Sequence, residues 1–433
     1  MPFKLLITAD LHLGRKSSSV PRNSEESSTK FSWHRMVDWA VKNKVDAVVL
    51  AGDIIDRDNR FFEAIGPIQE GFEKLNDAEI SVLIVSGNHD FDVLPDVLKS
   101  KKFDHVHLLG EYGRWELKTI KNKKGKLQFL GWSFPNQYVK ENPILQLQWA
   151  DVLLDPNIPA IGILHGDLNV KDSPYAPISL NHLLNSPVDA WVLGHIHKPE
   201  IHYKSYPLVL YPGSPHALSA KEPGSHGPYL LTVENTKKVK AELIPLSPVR
   251  YEKLEIDISE VPDKSGFRNL VTQQLSDDVN NKAEELRFVA HVIYDLVLTG
   301  RHALKSEFEH WSANTEEFEQ EYASETVASI RRVVNRIEPK VQNLEELAKQ
   351  PDPTGILANV ILDIQAGNDS EFLSAVSDEF KKKLGNVNAA VTYRPLRTEE
   401  EQADDSGEVA KEFILQECEQ LLAELLSQKG GVQ

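Results

Sequence analysis

Five short motifs in this chain combine the residue types that hold divalent metals: Asp10-Leu11-His12, Gly52-Asp53-Ile54-Ile55-Asp56, Gly87-Asn88-His89-Asp90, His165-Gly166 and Gly194-His195-Ile196-His197. Singly, each has an ordinary reading. Asp-x-His arises by chance, Gly-Asn is a turn dipeptide, and a histidine at a strand end is usually a hydrogen-bonded structural residue. Together they carry more weight, because each directly follows an apolar run of strand character. Ligands of α/β folds bind in the crevice beyond the carboxyl ends of strands, so all five motifs would reach one edge of the core.

The residue types then narrow the chemistry. Carboxylate and amide oxygens mixed with several imidazoles, and no thiolate, suit manganese, iron or zinc better than calcium or magnesium. Two four-coordinate sites sharing one ligand need seven protein ligands, and Asp10, His12, Asp53, Asn88, His165, His195 and His197 supply them. Asp53 is the natural bridge, since a carboxylate spans two cations. Such a pair lowers the pKa of a bridging water and clamps a phosphate for in-line displacement, so two divalent ions and phosphoester hydrolysis are expected.

The elements that must position these motifs read as α/β. Apolar runs at Phe3–Ala9, Ala47–Ala51 and Val82–Val85 alternate with helical patterns at Phe31–Lys42 and Phe61–Leu75. From Val106 the pattern turns to strands, with a hairpin of Trp115–Ile120 and Leu127–Trp132 around a lysine-rich turn over 121–126, whose lysines could touch phosphate but are read first as a solvated turn. The Ser-rich stretch Ser17–Thr29 reads as a mobile loop. A second, α+β unit begins near Tyr251, with a helix at Phe267–Leu275 and a β-branched run at Leu286–Leu298. Val327–Ile337 fits strand or helix by periodicity. The acidic run Glu399–Asp405 precedes an amphipathic helix, Val409–Ser427. The expected domains are 1–250, 251–397 and 398–433.

At 433 residues and 41% hydrophobic, the chain can bury a full core and is long enough for two or three domains. The net charge of −17 argues at first against a polyanionic substrate. Its distribution removes that objection: residues 1–250 carry 29 Lys+Arg against 29 Asp+Glu, and 251–433 carry 19 against 36. Bound cations would make the first half positive locally. The single cysteine, Cys418, excludes an intrachain disulfide and a cysteine zinc cluster. With no signal-peptide pattern and no run of membrane-spanning length, a cytoplasmic protein off the membrane is expected.

The motif set resembles the calcineurin-like metallophosphoesterase superfamily. Within it, Ala9-Asp10-Leu11-His12-Leu13-Gly14, the run Val45–Asp53 and Tyr211-Pro212-Gly213-Ser214-Pro215 look like the SbcD-type DNA repair exonucleases. Gly131-Trp132-Ser133-Phe134 and the run Trp191–Pro199 are similar to the YhaO-like branch. The resemblance implies a two-sheet sandwich flanked by helices, a small α+β capping domain and a helical C-terminal region. It implies one metal on Asp10, His12, Asp53 and His197, a second on Asp53, Asn88, His165 and His195, and His89 at the leaving group as general acid or electrostatic stabiliser. It further implies DNA as substrate, an SbcC-like coiled-coil ATPase as partner gripped through the C-terminal helix, and admits a homodimer.

Other positions stay open. Asp56 is placed to orient His89 or a ligand histidine, or to cap a helix. Arg15, Arg57 and Arg60 follow the motifs closely enough to reach substrate phosphates. Small-molecule or nucleotide phosphodiesters and phosphomonoesters remain the alternative substrates, and a scaffold subunit the non-enzymatic one. A complete ligand set argues against the scaffold.

Overall fold

The alternating runs of the first half form two six-stranded sheets. The computed structural model describes residues 2–20, 24–57, 63–234, 238–302, 305–322, 326–339, 344–368, 371–389 and 407–430. One sheet runs in the order β12 (Val239–Leu243), β11 (Tyr229–Val233), β1 (Phe3–Thr8), β2 (Ala47–Ala51), β3 (Ser81–Val85) and β4 (Val106–Leu108). The other runs β5 (Trp115–Asn122), β6 (Gly125–Trp132), β7 (Ala160–His165), β8 (Ala190–Gly194), β10 (Leu208–Tyr211) and β9 (Glu200–Tyr203). β1 to β4 are mutually parallel, as are β6, β7, β8 and β10.

The strand sequences are near-continuously apolar because both faces of each sheet are covered. Leu5 and Ile7 of β1 point into a shared core with Val49, Leu83, Phe129, Ile161 and Val192, so the two sheets pack face to face. Leu6, one residue out of phase, turns the other way. It packs with Val48 and Ile84 against α1 (Thr29–Lys42), α2 (Ile65–Asp77) and α3 (Leu94–Ser100). The second sheet's outer face is covered by α4 (Pro143–Gln146), α5 (Leu180–Leu184) and loops around Trp191 and Trp132. The cap of α1 is local: the Ser28 side chain accepts a hydrogen bond from the Lys30 amide.

Further on, β13 (Val249–Asp257), β14 (His291–Thr299), β17 (Val327–Asn335) and β16 (Gln320–Glu321) pair in that order, and β15 (Arg301–His302) pairs with β18 (Glu338–Pro339). The chain divides into two compact units. The first is Met1–Lys253 with Leu275–Asp295 and Glu316–Arg332; the second is Leu254–Gln274, Leu296–Thr315 and Val333–Gln433. In the second unit, Phe308 of α7 (Lys305–Trp311) packs edge-on to Phe267 of α6 (Lys264–Asn281), with ring centroids 5.4 Å apart. There too α8 (Leu344–Leu347), α9 (Pro353–Ala366) and α10 (Glu371–Ala389) surround α11 (Gly407–Gly430). Asp352 caps α9 by accepting from the Gly355 amide at 3.0 Å, with Pro353 at the first turn and Gly367 left-handed at its end.

Several expectations change. The hairpin turn is shorter than 121–126, because Lys121, Asn122, Gly125 and Lys126 stay in register within the strands. Ser17–Thr29 is not a free loop where it is described: Ser17 is buried, bonded to His216 Nε2 at 2.8 Å, and donates to the Ala217 carbonyl. The helix read at Phe267–Leu275 runs from Lys264 to Asn281, and the ambiguous Val327–Ile337 segment is a strand. The apolar side of α11 is covered in part within its own unit. Leu422 is buried with Ala358 and Ile361, and Ile414 with Val360 and Leu373. Phe413 and Leu421 remain 45% and 48% exposed. The acidic run Glu399–Asp405 lies outside the described residues. Among the described residues no helix is long and apolar enough to cross a membrane.

His216 sets an acid-side stability test. It is fully buried between the Ser17 and Ser32 hydroxyls, each 2.8 Å from a ring nitrogen, and burial pushes its pKa down to about 4 from 6.5. A histidine whose folded pKa lies below its unfolded value binds protons preferentially when unfolded. Its stabilisation is therefore complete above pH 6.5 and is lost as pH falls toward 4. That shift corresponds to about 3 kcal/mol. Urea titrations of the chelated protein should show His216→Gln losing less stability over this window than the parent. Parallel curves for the two proteins would contradict this account.

Candidate metal centre

Each motif begins where a strand stops. Asp10 lies two residues past β1, Asp53 two past β2, Asn88 three past β3, His165 ends β7 and His195 directly follows β8. The parallel ladder of β1 and β2 continues beyond the strands: the amides of Asp10, His12 and Leu13 donate to the carbonyls of Gly52, Asp53 and Ile54 at 3.0, 3.0 and 2.9 Å. The sheets are then tied across the gap, where the His195 amide donates to both Asp10 carboxylate oxygens at 3.1 Å. Two glycines permit this approach. A Cβ on Gly194 would run into the Ala51 carbonyl, and one on Gly87 into the Asp53 carboxylate.

The convergence is strained. Asp10, His12, Asp53 and His195 hold positive φ values of 51°, 43°, 52° and 103°, a region that costs a non-glycine residue about 1–3 kcal/mol. The surrounding ladder and core enforce it, which is the pattern of a site in which geometry matters more than local comfort.

The side chains form three clusters whose ligating atoms lie within 4.8 Å of one another: Asp10, His12 and His197; Asp10, Asp53 and His165; and His12, Asp56 and His89. Asp53 Oδ2 lies 3.4 Å from His165 Nε2 and 3.8 Å from His12 Nε2, between the first two groups. His165 Nε2 is also 3.2 Å from Asn88 Oδ1. His195 is in none of the three clusters; its ring centroid stands 5.3 Å from that of His165.

Ring protons decide what these groups accept. His165 Nδ1 donates to the Ala51 carbonyl at 2.9 Å and His197 Nδ1 to Glu222 Oε1 at 2.9 Å. His12 Nδ1 faces Asp56 Oδ1 at 3.3 Å, and His195 Nε2 faces Asp167 Oδ1 at 3.3 Å. His165 and His197 thus commit Nδ1 to an oxygen behind the ring, and their Nε2 atoms, with that of His12, lie on the side of the converging carboxylates. His12 Nε2 and His197 Nε2 then oppose each other at 3.1 Å. Imidazoles, carboxylates and an amide gathered in this way fit divalent cations.

The titration of the site reflects the same excess of acceptors. Burial alone would lower the His165 pKa, yet Asp53 overcomes it and pushes it up to about 9. Burial raises the Asp53 carboxyl, and His165, His12 and His89 more than reverse this, holding it well below the usual carboxylate range. Burial lowers His197, and Glu222 outweighs it to leave a raised pKa. Burial and then Asp53 push Asp90 up to about 6. Asp90 is structural: it accepts from the amides of Ile54 at 2.6 Å and Gly87 at 2.8 Å, clamping the second motif to the third.

The peripheral residues fall out unevenly. His89 is a third exposed, with its Nε2 4.0 Å from Asp53 Oδ2 and its Nδ1 3.8 Å from Asp56 Oδ1. Burial lowers its pKa, against the pull of Asp53. Asp56 is nearer His12 than His89, so of its expected partners the ligand histidine is the closer. Arg15, 44% exposed, reaches within 4.0 Å of Asp56, and Arg57 is exposed. Arg60 lies outside the described residues. Two oxygen partners were not anticipated. Asp167 follows the His165-Gly166 motif directly, a usable signal; Glu222 stands 25 positions after His197 with no local mark.

Residues 3–199 match the family described as calcineurin-like phosphoesterase. The chain is 31% identical over 277 residues to the uncharacterized metallophosphoesterase YhaO of Bacillus subtilis, covering 62% of this chain and 66%, just under two thirds, of that relative. It is 27% identical over 288 residues to the D subunit of nuclease SbcCD from Staphylococcus epidermidis, covering 60% of this chain and 74% of the relative. It is 23% identical over 270 residues to the DNA double-strand break repair protein Mre11 of Nanoarchaeum equitans, covering 58% and 70%. Residues 3–199 therefore carry a calcineurin-like metallophosphoesterase domain, and the likeness of the chain is to proteins of the SbcD-type branch.

Proposed function

We propose that this chain is a two-metal DNA nuclease, cleaving phosphodiester bonds at the edge where the two sheets converge. The observation that carries the reading is the convergence of imidazole, carboxylate and amide groups at that edge, with the Ala51 carbonyl and Glu222 fixing the tautomers of His165 and His197. Asp10, His12, Asp53 and His197 hold one cation, and Asp53, Asn88, His165 and His195 the other, with Asp53 common to both. Manganese is the metal of choice, with iron or zinc as the other candidates for a mixed imidazole and carboxylate shell. When bound, the pair supplies a nucleophile of lowered pKa and neutralises charge on the phosphate.

The chain's own residues do the rest. Glu222, Asp167, Asp56 and the Ala51 carbonyl hold the four imidazoles in place. His89, partly open to solvent, hydrogen-bonds or protonates the departing oxygen. Arg15 and Arg57 meet phosphates on either side. DNA as the substrate is supported by the likeness to Mre11 and to the D subunit of nuclease SbcCD. It is also supported by a run of rings leading out from the centre: Tyr175 lies 4.9 Å from His195, and Tyr138, 54% exposed, lies 5.8 Å from Tyr175. A coiled-coil ATPase partner belongs to the same reading. The surface α11 leaves for it is the side bearing Phe413 and Leu421.

A labelled DNA duplex and an aryl phosphodiester, each incubated with the protein and manganese, separate the nuclease from a small-ester hydrolase. The nuclease reading requires cleavage of the duplex. Asp53→Ala should lose both metals by elemental analysis and at least about a thousandfold in turnover, because one carboxylate serves both sites. Retention of one full equivalent of metal would remove Asp53 from the bridge. His89→Ala should keep both metals and lose about a hundredfold to ten-thousandfold in kcat, the range of a group acting at the leaving oxygen. A missing cation in that variant would instead make His89 a ligand.

A further inference from the structure

The lysine-rich hairpin read from the sequence as a solvated turn sits at the end of the sandwich opposite the metal centre. Asp46 precedes β2 and Asp53 follows it, so the two ends are about 20 Å apart at strand rise. A cleft of about 810 Å³ opens there. Lysines from separate parts of the fold line it: Lys44 from the turn after α1, and Lys121, Lys123 and Lys124 from the β5–β6 hairpin. Asp46 and Glu79 are its acidic residues.

The lysines are not equivalent. Lys124 is committed, donating to Asp46 Oδ2 at 2.6 Å. Asp46 also accepts from Asn122 Nδ2 at 2.8 Å and from the Lys4 amide at 2.7 Å, so this carboxylate pins the hairpin to the sandwich and is fully used. Lys44, Lys121 and Lys123 are exposed and make no ion pair among the described residues. The hairpin also places Lys121 directly opposite Lys126 in the strand register. Like charges directly opposite destabilise a strand pair, and a turn that only needed solvation gains nothing from that pairing. An anchored cleft carrying surplus positive charge at a cost to its own hairpin is a site for negative charge.

We propose that this cleft is a second polyanion site, one that takes the phosphate backbone of nucleic acid remote from the metal centre. The proposal rests on the nuclease reading. Lysine ammonium groups act there as point charges on phosphate, giving contacts that add affinity without reading sequence. A domain whose first 250 residues are electrically neutral would hold its substrate at two ends, the metal edge doing chemistry and the lysine cleft supplying salt-sensitive grip.

The test measures binding of a labelled DNA duplex to the full chain in chelator, so that nothing is cut, over a series of salt concentrations. The triple variant Lys44→Gln/Lys121→Gln/Lys123→Gln should bind more weakly, with the slope of log affinity against log salt reduced by about 2–3. Its manganese-dependent turnover of an aryl phosphodiester should equal the parent's, which reports an intact fold. Lys44 has a φ of 50°, and should its replacement disturb that turn, Lys121→Gln/Lys123→Gln is read the same way with a slope change of about 2. A variant that binds with the parent's affinity and slope, while the parent binds and cleaves duplex, overturns the second site alone. A parent that neither binds nor cleaves duplex overturns the nuclease reading and this site with it.

Discussion

The imidazole nitrogens of His12 and His197 face each other at 3.1 Å, each ring turned so that its other nitrogen meets a carboxylate. Around that pair the carboxylates of Asp10 and Asp53, the Asn88 amide oxygen and the His165 imidazole aim at the same small volume. In a buried, low-dielectric pocket such a gathering of acceptors is unfavourable without positive charge. The rise of His165 to about 9 is the same demand met by a proton. Metal binding at such a site is coupled to proton release, because the ligands must give up their protons to coordinate.

The rest of the first unit is arranged to impose that gathering. The parallel runs β1 to β3 and β6 to β8 bring their carboxyl ends to one edge. The shared core between the sheets, from Ile7 and Val49 to Ile163 and Val192, fixes how closely those edges approach. Left-handed backbone at Asp10, His12, Asp53 and His195 is the local cost of the approach, and the hydrogen-bonded extension of the β1–β2 ladder holds it. Large side chains such as Trp33, Trp132 and Trp191, fully buried on the outer faces, stiffen the layers behind the site. Stability in this unit therefore serves the precision of the edge.

The positions that converge were legible because metal chemistry draws on few residue types, and strand periodicity says where such residues become available. Asp10, Asp53, Asn88, His165 and His195 all follow apolar runs that end within three residues of them. What escaped has a common physical origin. Glu222 reaches His197, and His216 reaches Ser17 and Ser32, only through chain reversals whose outcome is decided by packing of distant segments. Asp167 carried a local signal, a carboxylate beside a ligand motif, which single-motif reading passed over. The C-terminal helix shows the limit from the other side. Its amphipathic period was visible at Ile414, Cys418 and Leu422, but a period says that a face is buried and not against what.

The most direct measurement of the central claim is the titration of the chelated, full-length chain with manganese, reading stoichiometry by calorimetry and the thermal midpoint alongside. The account predicts two cations per chain. It also predicts a stabilisation of about 2.7 kcal/mol for each site, roughly twice that for the pair, when free metal reaches about a hundred times the dissociation constant. A chain that binds no manganese, iron or zinc, and whose midpoint is unmoved by any of them, would mean that the converging histidines and carboxylates satisfy one another without metal and that the centre described here is structural.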